Sequence, residues 1–178
     1  MRWILLAGLV GVVATTAVPA ASGRGNGTLA AHAELKVTSS PTSCPAGVPS
    51  DFLCADRKGS GIVRGLGQVT ETYMYFVDQE SPECGGAKRV ARTTARLAVP
   101  GKGEFELVLD DHPGCFPGEA LSLTRTYRVT GGTGAYAGAS GNGTLSHRVA
   151  ITLSGAAGTD VYDGTVAVPG LEFDLSAR

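Results

Sequence analysis

From about residue 61 onward the chain alternates apolar and polar positions in short runs, each bounded by Gly or Pro. That is the period of a half-buried strand, not of a helix. The run Ile62 to Val77 places Val69, Glu71, Tyr73, Tyr75 and Val77 on one face. Arg89 to Val99 follows, and Pro100-Gly101-Lys102-Gly103 makes its turn. Glu104 to Leu109 groups Phe105, Leu107 and Leu109, and Ala120 to Thr130 groups Leu121, Leu123, Arg125, Tyr127 and Val129. Thr144 to Leu153 aligns Leu145, His147, Val149, Ile151 and Leu153, and Val161 to Val168 and Leu171 to Leu175 end the series. Residues 21 to 38 form an N-terminal segment whose patchy apolar positions, Leu29, Leu35 and Val37, suit a first strand. Residues 39 to 60, rich in Ser and Pro, read as a loop. Nothing after residue 20 has a convincing helical period. Successive strands with short links predict an all-β antiparallel meander over 61 to 178, closed as a barrel or folded as a β-sandwich.

The first twenty residues differ from the rest. Arg2 is followed by an uncharged apolar stretch through Ala17, and Val18-Pro19-Ala20 offers small residues for cleavage after Ala20, with Ser22 as a second choice. This is the three-part pattern of a secretory signal peptide. A membrane anchor needs about 20 apolar residues, and this run is shorter. No Cys stands at the start of the expected mature chain to carry a lipid. No later run is long and apolar enough to span a membrane as a helix, so the expected destination is secreted or extracytoplasmic.

Export changes the meaning of the cysteines. All four, Cys44, Cys54, Cys84 and Cys115, follow the signal, and an even count in an oxidising compartment reads as two disulfides. Cys44 and Cys54 bracket a Pro-rich loop, which favours a local bridge and leaves Cys84 with Cys115. A metal site fits poorly, because there is no Cys-x-x-Cys and His32, His112 and His147 are scattered. The charges are nearly balanced, with 15 Lys+Arg against 16 Asp+Glu. Without a basic stripe there is no electrostatic footprint for nucleic acid.

Residues 129 to 145 are the most distinctive stretch, Val-Thr-Gly-Gly-Thr-Gly-Ala-Tyr-Ala-Gly-Ala-Ser-Gly-Asn-Gly-Thr-Leu. Gly131, Gly132 and Gly134 would permit positive φ and close backbone approach. Gly138, Gly141 and Gly143 would let the chain reverse beside Tyr136, a plug for one end of a core. A phosphate loop would need Gly-Lys-Ser/Thr or a strand-to-helix Gly pattern, and neither is present. The stretch resembles the Gly-Gly-Thr-Gly-x-aromatic-x-Gly-Ala-x-Gly-x-Gly loop of the allene oxide cyclase and dirigent-like β-barrels, which include exported bacterial members. That resemblance implies an eight-stranded antiparallel barrel with a central cavity. The loop is structural in that family, so no catalytic residue is carried over. The Cys-bearing region 39 to 60 departs from the plant pattern.

The polar residues on otherwise apolar faces are the candidates for chemistry. Glu71, Tyr73, Arg125, Tyr127 and His147 would line a cavity if those faces point inward, giving a mostly apolar site with a few polar groups. Alternatively, they mark strand ends that run past the core into solvent. Asp110-Asp111 could bind Ca²⁺ or form a solvated turn. The sequons at Asn26 and Asn142 matter only in a glycosylating host, and no Gly-x-Ser-x-Gly elbow supports a hydrolase. Three functions are compatible with the sequence. The first is a cofactor-free exported barrel that binds a small hydrophobic molecule or acts at the cell surface. The second is a cyclase or isomerase of the dirigent kind. The third is a structural or interaction module that forms a homo-oligomer.

Overall fold

The computed structural model describes residues 27–90, 94–110, 114–116, 120–152 and 155–173. The expected signal peptide and its cleavage point lie outside them, as does the first sequon's Asn26. The strands are β1 (Gly27–Thr42), β2 (Phe52–Val63), β3 (Gly67–Asp78), β4 (Lys88–Val90), β5 (Thr94–Val99), β6 (Gly103–Leu109), β7 (Gly114–Phe116), β8 (Ala120–Gly132), β9 (Ser140–Thr152) and β10 (Gly155–Val168). Every pairing is antiparallel.

Round the sheet the order is β2-β1-β10-β9-β8-β6-β5-β3, and β3 pairs back onto β2. The sheet therefore closes as an eight-stranded up-and-down barrel, and the sandwich alternative is excluded. β4 and β7 extend the β5–β6 hairpin towards one end, with β4 on β3 at Val77 and Asp78 and on β7 at its other side. Two disulfides, Cys44–Cys54 and Cys84–Cys115, have Cα separations of 5.2 and 5.5 Å, within the normal span of such bonds. Among the described residues no helix is long and apolar enough to cross a membrane.

Strand alternation fills the lumen as expected. The inward residues Leu29, Leu35, Val69, Phe105, Leu107, Val129, Leu145 and Val166 form one core. That core occupies one half of the barrel. Its end is stopped by Tyr136, whose ring stacks on Phe105 with centroids 4.2 Å apart. The Tyr136 side chain comes from a 3-10 turn, Gly134–Tyr136, in the Gly-rich loop.

Several boundaries differ from the sequence reading, and β9 and β10 begin earlier than expected, at Ser140 and Gly155. Residues 39 to 60 are not one loop, because β1 runs on to Thr42 and β2 begins at Phe52. The alternation of β2 is disguised because its inward positions include Arg57, Gly59 and Gly61 rather than a run of aliphatics. The barrel thus begins at Gly27, well before residue 61. The run Ile62 to Val77 is likewise not one strand, since the chain reverses at 64–66 between β2 and β3, where the Leu66 N–H donates to the Val63 carbonyl at 3.0 Å. Finally, Leu171 and Phe173 pack against the core without joining a strand, and residues 174–178 lie outside the described residues.

The Gly-rich loop also divides. Gly134 has φ +58° and its Cα faces the Lys102 carbonyl, where a Cβ would sit only 2.3 Å from that oxygen. Gly132 is just as crowded, against the backbone of Tyr136 and Glu104. Gly138 takes a positive φ and Gly141 packs on the Thr165 carbonyl. Gly131 does neither, for it has no positive φ and open space where a Cβ would stand. Gly131→Ala is therefore expected to change stability by less than about 0.5 kcal/mol. Gly134→Ala is expected to cost more than about 1 kcal/mol, through strain and the backbone clash. Urea denaturation of both variants checks the contrast.

Candidate functional site

The half of the lumen opposite Tyr136 is not filled. It forms a cavity of about 900 Å³ that opens at the end where β1 finishes and β2 begins. Val77, Val90, Phe116, Leu123, Val149 and Ile151 supply apolar walls. The Cys44–Cys54 bridge lies in the rim. The floor is polar and is made by Arg57, Tyr73, Arg125 and His147, each from a different strand.

The floor is organised round one carboxylate. Asp160, fully buried on β10, accepts from Arg57 Nε at 2.9 Å and from Arg57 Nη2, a two-point pairing. His147 Nδ1 bonds the same carboxylate at 2.9 Å. Arg57 Nη1 also reaches Ser39 Oγ at 3.4 Å, and its guanidinium lies 5.7 Å from the centre of the Tyr73 ring. Register makes this meeting possible. β10 pairs with β9 so that Asp160 faces His147, and with β1 so that it faces Leu35. β2 flanks β1 on the other side, which lets the long Arg57 side chain reach across to Asp160. Burial works against the Arg57 charge, but Tyr73, Asp160 and Glu71 outweigh it and hold the guanidinium above its ordinary value.

Beneath this layer sits a second acid. Glu71 is fully buried on β3 and accepts a hydrogen bond from the Tyr162 hydroxyl, while its Oε2 finds no partner. Gly59, opposite on β2, leaves the room, since a Cβ there would stand 2.7 Å from Glu71 Oε2. Desolvation, reinforced by the charge of Asp160, pushes the Glu71 carboxyl up to about 8. Burial raises the Tyr73 and Tyr162 phenols well above their usual range. Both therefore stay neutral hydrogen-bonding groups.

Of the five residues picked from the sequence, the cavity gathers three: Tyr73, Arg125 and His147. Arg125 is buried and donates through Nε and Nη2 to the main-chain carbonyl of Asp110, at 3.1 and 2.5 Å. Glu71 lies below the floor. Tyr127 lies deeper, edge-on to Tyr162 at 5.6 Å, with burial pushing its phenol up to about 12. Neither is a cavity-lining residue, because their strands cross the packed half at those positions. Of the acidic pair, Asp110 bonds Thr126, and Asp111 lies outside the described residues, as does His112. His32 is exposed on the outer surface beside Asp163.

The sequence reading passed over Arg57 and Asp160. Arg57 fell in the assumed loop, and Asp160 stood just before the assumed start of its strand. Extending the even-numbered alternation of Tyr162, Val166 and Val168 back by one step would have turned Asp160 inward. No protein-family model matches the chain, and no curated protein matches it.

Two outcomes follow from the buried charges. Asp160→Asn strands Arg57 in the interior and is expected to cost about 3–5 kcal/mol. The double variant Arg57→Met with Asp160→Leu is expected to cost markedly less, a difference that chemical denaturation reads directly. Glu71 has a second, pH-dependent signature. Its folded value of about 8 lies above the unfolded 4.5, so the folded state binds the proton more tightly. Stability linked to this group is complete below pH about 4.5 and is lost as pH rises towards 8. Glu71→Gln is expected to flatten that slope and to exceed the parent by on the order of 2 kcal/mol at pH 9, measured by urea denaturation across pH.

Proposed function

We propose that this protein is an exported β-barrel that binds a small, largely hydrophobic molecule in the open half of its lumen. The observation that carries the reading is the cavity, about 900 Å³ with apolar walls and a hydrogen-bonded polar floor. Ligand sites have this composition and this size range. An eight-stranded barrel is just wide enough either to fill with side chains or to hold one ligand, and here each half takes one of the two options.

Export is supported by the N-terminal pattern of charge, apolar run and small residues, together with two disulfides. The Gly131 to Leu145 motif and the closed barrel support placing the chain with the allene oxide cyclase and dirigent-like barrels. Fold likeness alone does not decide chemistry. A cyclase or isomerase is the second reading, favoured by the His147–Asp160 hydrogen bond at the cavity floor. In that arrangement Nδ1 is committed to Asp160, which leaves Nε2 as the ring nitrogen for proton transfer.

Native mass spectrometry of the protein purified from an oxidising compartment tests both readings. A binder is expected to carry a small molecule that is released on mild denaturation. An enzyme is expected to return that molecule, when it is added back, as an isomer of equal mass and altered retention. A clean mass with two disulfides and no adduct, from several expression hosts, would leave a surface or interaction module as the better account.

A further inference from the structure

The two buried acids of the polar layer are unequally served. Asp160 is fully engaged, for its oxygens take Arg57 Nε and Nη2 and one of them takes His147 Nδ1 as well. Glu71 accepts from Tyr162 through Oε1, and its buried Oε2 has no hydrogen-bond partner. Arg57 carries a loosely held donor to match. Its Nη1 makes a 3.4 Å contact with Ser39 Oγ, beyond the usual range of an N–H···O bond.

Register brings that donor and that oxygen together. Across β2 and β3, Arg57 pairs with Tyr73 and Gly59 pairs with Glu71. Arg57 and Glu71 are therefore diagonal neighbours, within reach of a long side chain. Gly59 puts no side chain between them, and a Cβ there would stand 2.7 Å from Glu71 Oε2. The other inward groups round this layer are Tyr73 and Tyr162, which stay neutral, with Arg125 and Tyr127 from β8 and His147 from β9. β1, β5 and β6 present Val37, Leu97 and Leu107, which bring no charge. Burial holds the proton on Glu71 and Asp160 reinforces it, whereas Arg57 works the other way.

We propose that Arg57 is the moving part of a pH-sensitive switch: when Glu71 loses its proton to bulk water, Nη1 leaves Ser39 Oγ and closes on Glu71 Oε2, so that one guanidinium bridges both carboxylates. Protonated, Glu71 leaves the Arg57–Asp160 pair neutral and undisturbed. Ionised, it is a buried anion with one hydroxyl for a partner, an arrangement that needs a further donor. A pivot of the guanidinium about its Asp160 contacts supplies one. Arg57, Ser39 and Tyr73 all line the cavity, and the Tyr73 ring lies 5.7 Å from the guanidinium. The floor would therefore change shape and charge with pH, whether or not the lumen takes a ligand.

NMR of the oxidised protein, labelled at Glu and Arg, reads both ends of the switch. The Glu71 carboxyl carbon and the Arg57 guanidinium nitrogens are expected to shift together, with one midpoint at about 8, while the dispersed amide spectrum of the folded barrel persists. Glu71→Gln keeps an acceptor for Tyr162 but cannot ionise, and is expected to abolish the Arg57 step. Ser39→Ala removes a bond that Nη1 makes in the protonated state alone. It is expected to weaken the hold of Glu71 on its proton roughly two- to threefold, read as a lower midpoint. An Arg57 that stays in place would leave that midpoint unmoved by Ser39→Ala, and this result would overturn the switch. So would an Arg57 step that survives Glu71→Gln, or a Glu71 that ionises only as the fold is lost. Should Glu71→Gln fail to fold, the Ser39→Ala midpoint decides the matter.

Discussion

The buried pair of Arg57 and Asp160 is the constraint round which the barrel is arranged. Neither charge can stand alone when buried as deeply as these two are, since the desolvation cost of one ion amounts to several kcal/mol. Each therefore fixes the other, and their strands with them. Asp160 also takes the hydrogen bond of His147, and Arg57 lies against Tyr73 and Ser39. Four strands beyond the pair's own two, β1, β3, β8 and β9, contribute to the same layer through Ser39, Tyr73, Arg125 and His147. On one side of that layer the residues are large and apolar and the lumen is packed. On the other the inward side chains stand back and the lumen is open.

Closure of the sheet supports this arrangement. An open sheet with so polar an inner layer would let water in and weaken the ion pair through screening. A closed barrel leaves only two ends to be managed. One is stopped by Tyr136 stacked on Phe105, delivered by a Gly-rich loop in which Gly132 and Gly134 leave no room for a Cβ. The other is left open and braced. Cys44–Cys54 ties the β1–β2 connection at the rim, and Cys84–Cys115 ties the segment after β3 to β7. The bridges thus hold the end that has least packing of its own. Binding sites commonly sit where local stability is lowest, and a covalent rim keeps such a site shaped.

Space for the polar groups comes from missing side chains. Gly59 gives way to Glu71, while Gly143 and Gly164 lie where any Cβ would meet the Tyr127 hydroxyl, at 2.6 Å in each case. These inward glycines explain part of the high Gly content, 26 of 178 residues, which turns alone do not require. They also explain why the interior pattern is hard to read: an inward Gly looks neutral to any test of hydrophobicity.

Much of the architecture was legible along the chain. Alternation in β6, β8 and β9 named the inward faces, because antiparallel strands with one buried face leave a period-two record. The even cysteine count and the Pro-rich loop between Cys44 and Cys54 named the bridges. The same alternation turned Tyr73, Arg125 and His147 inward. What it could not do was rank positions along the barrel axis. Glu71 and Tyr127 share faces with cavity residues yet lie in the packed half, and β2 was lost because its inward set is a cation with glycines. Whether an inward residue meets solvent, core or ligand depends on strand stagger round a closed sheet, a long-range property. The decisive contact joins residues 103 apart in sequence, Arg57 and Asp160. Local pattern determined which way each side chain faces; only the closed register decided which of them meet, because their partners come from strands that no local rule connects.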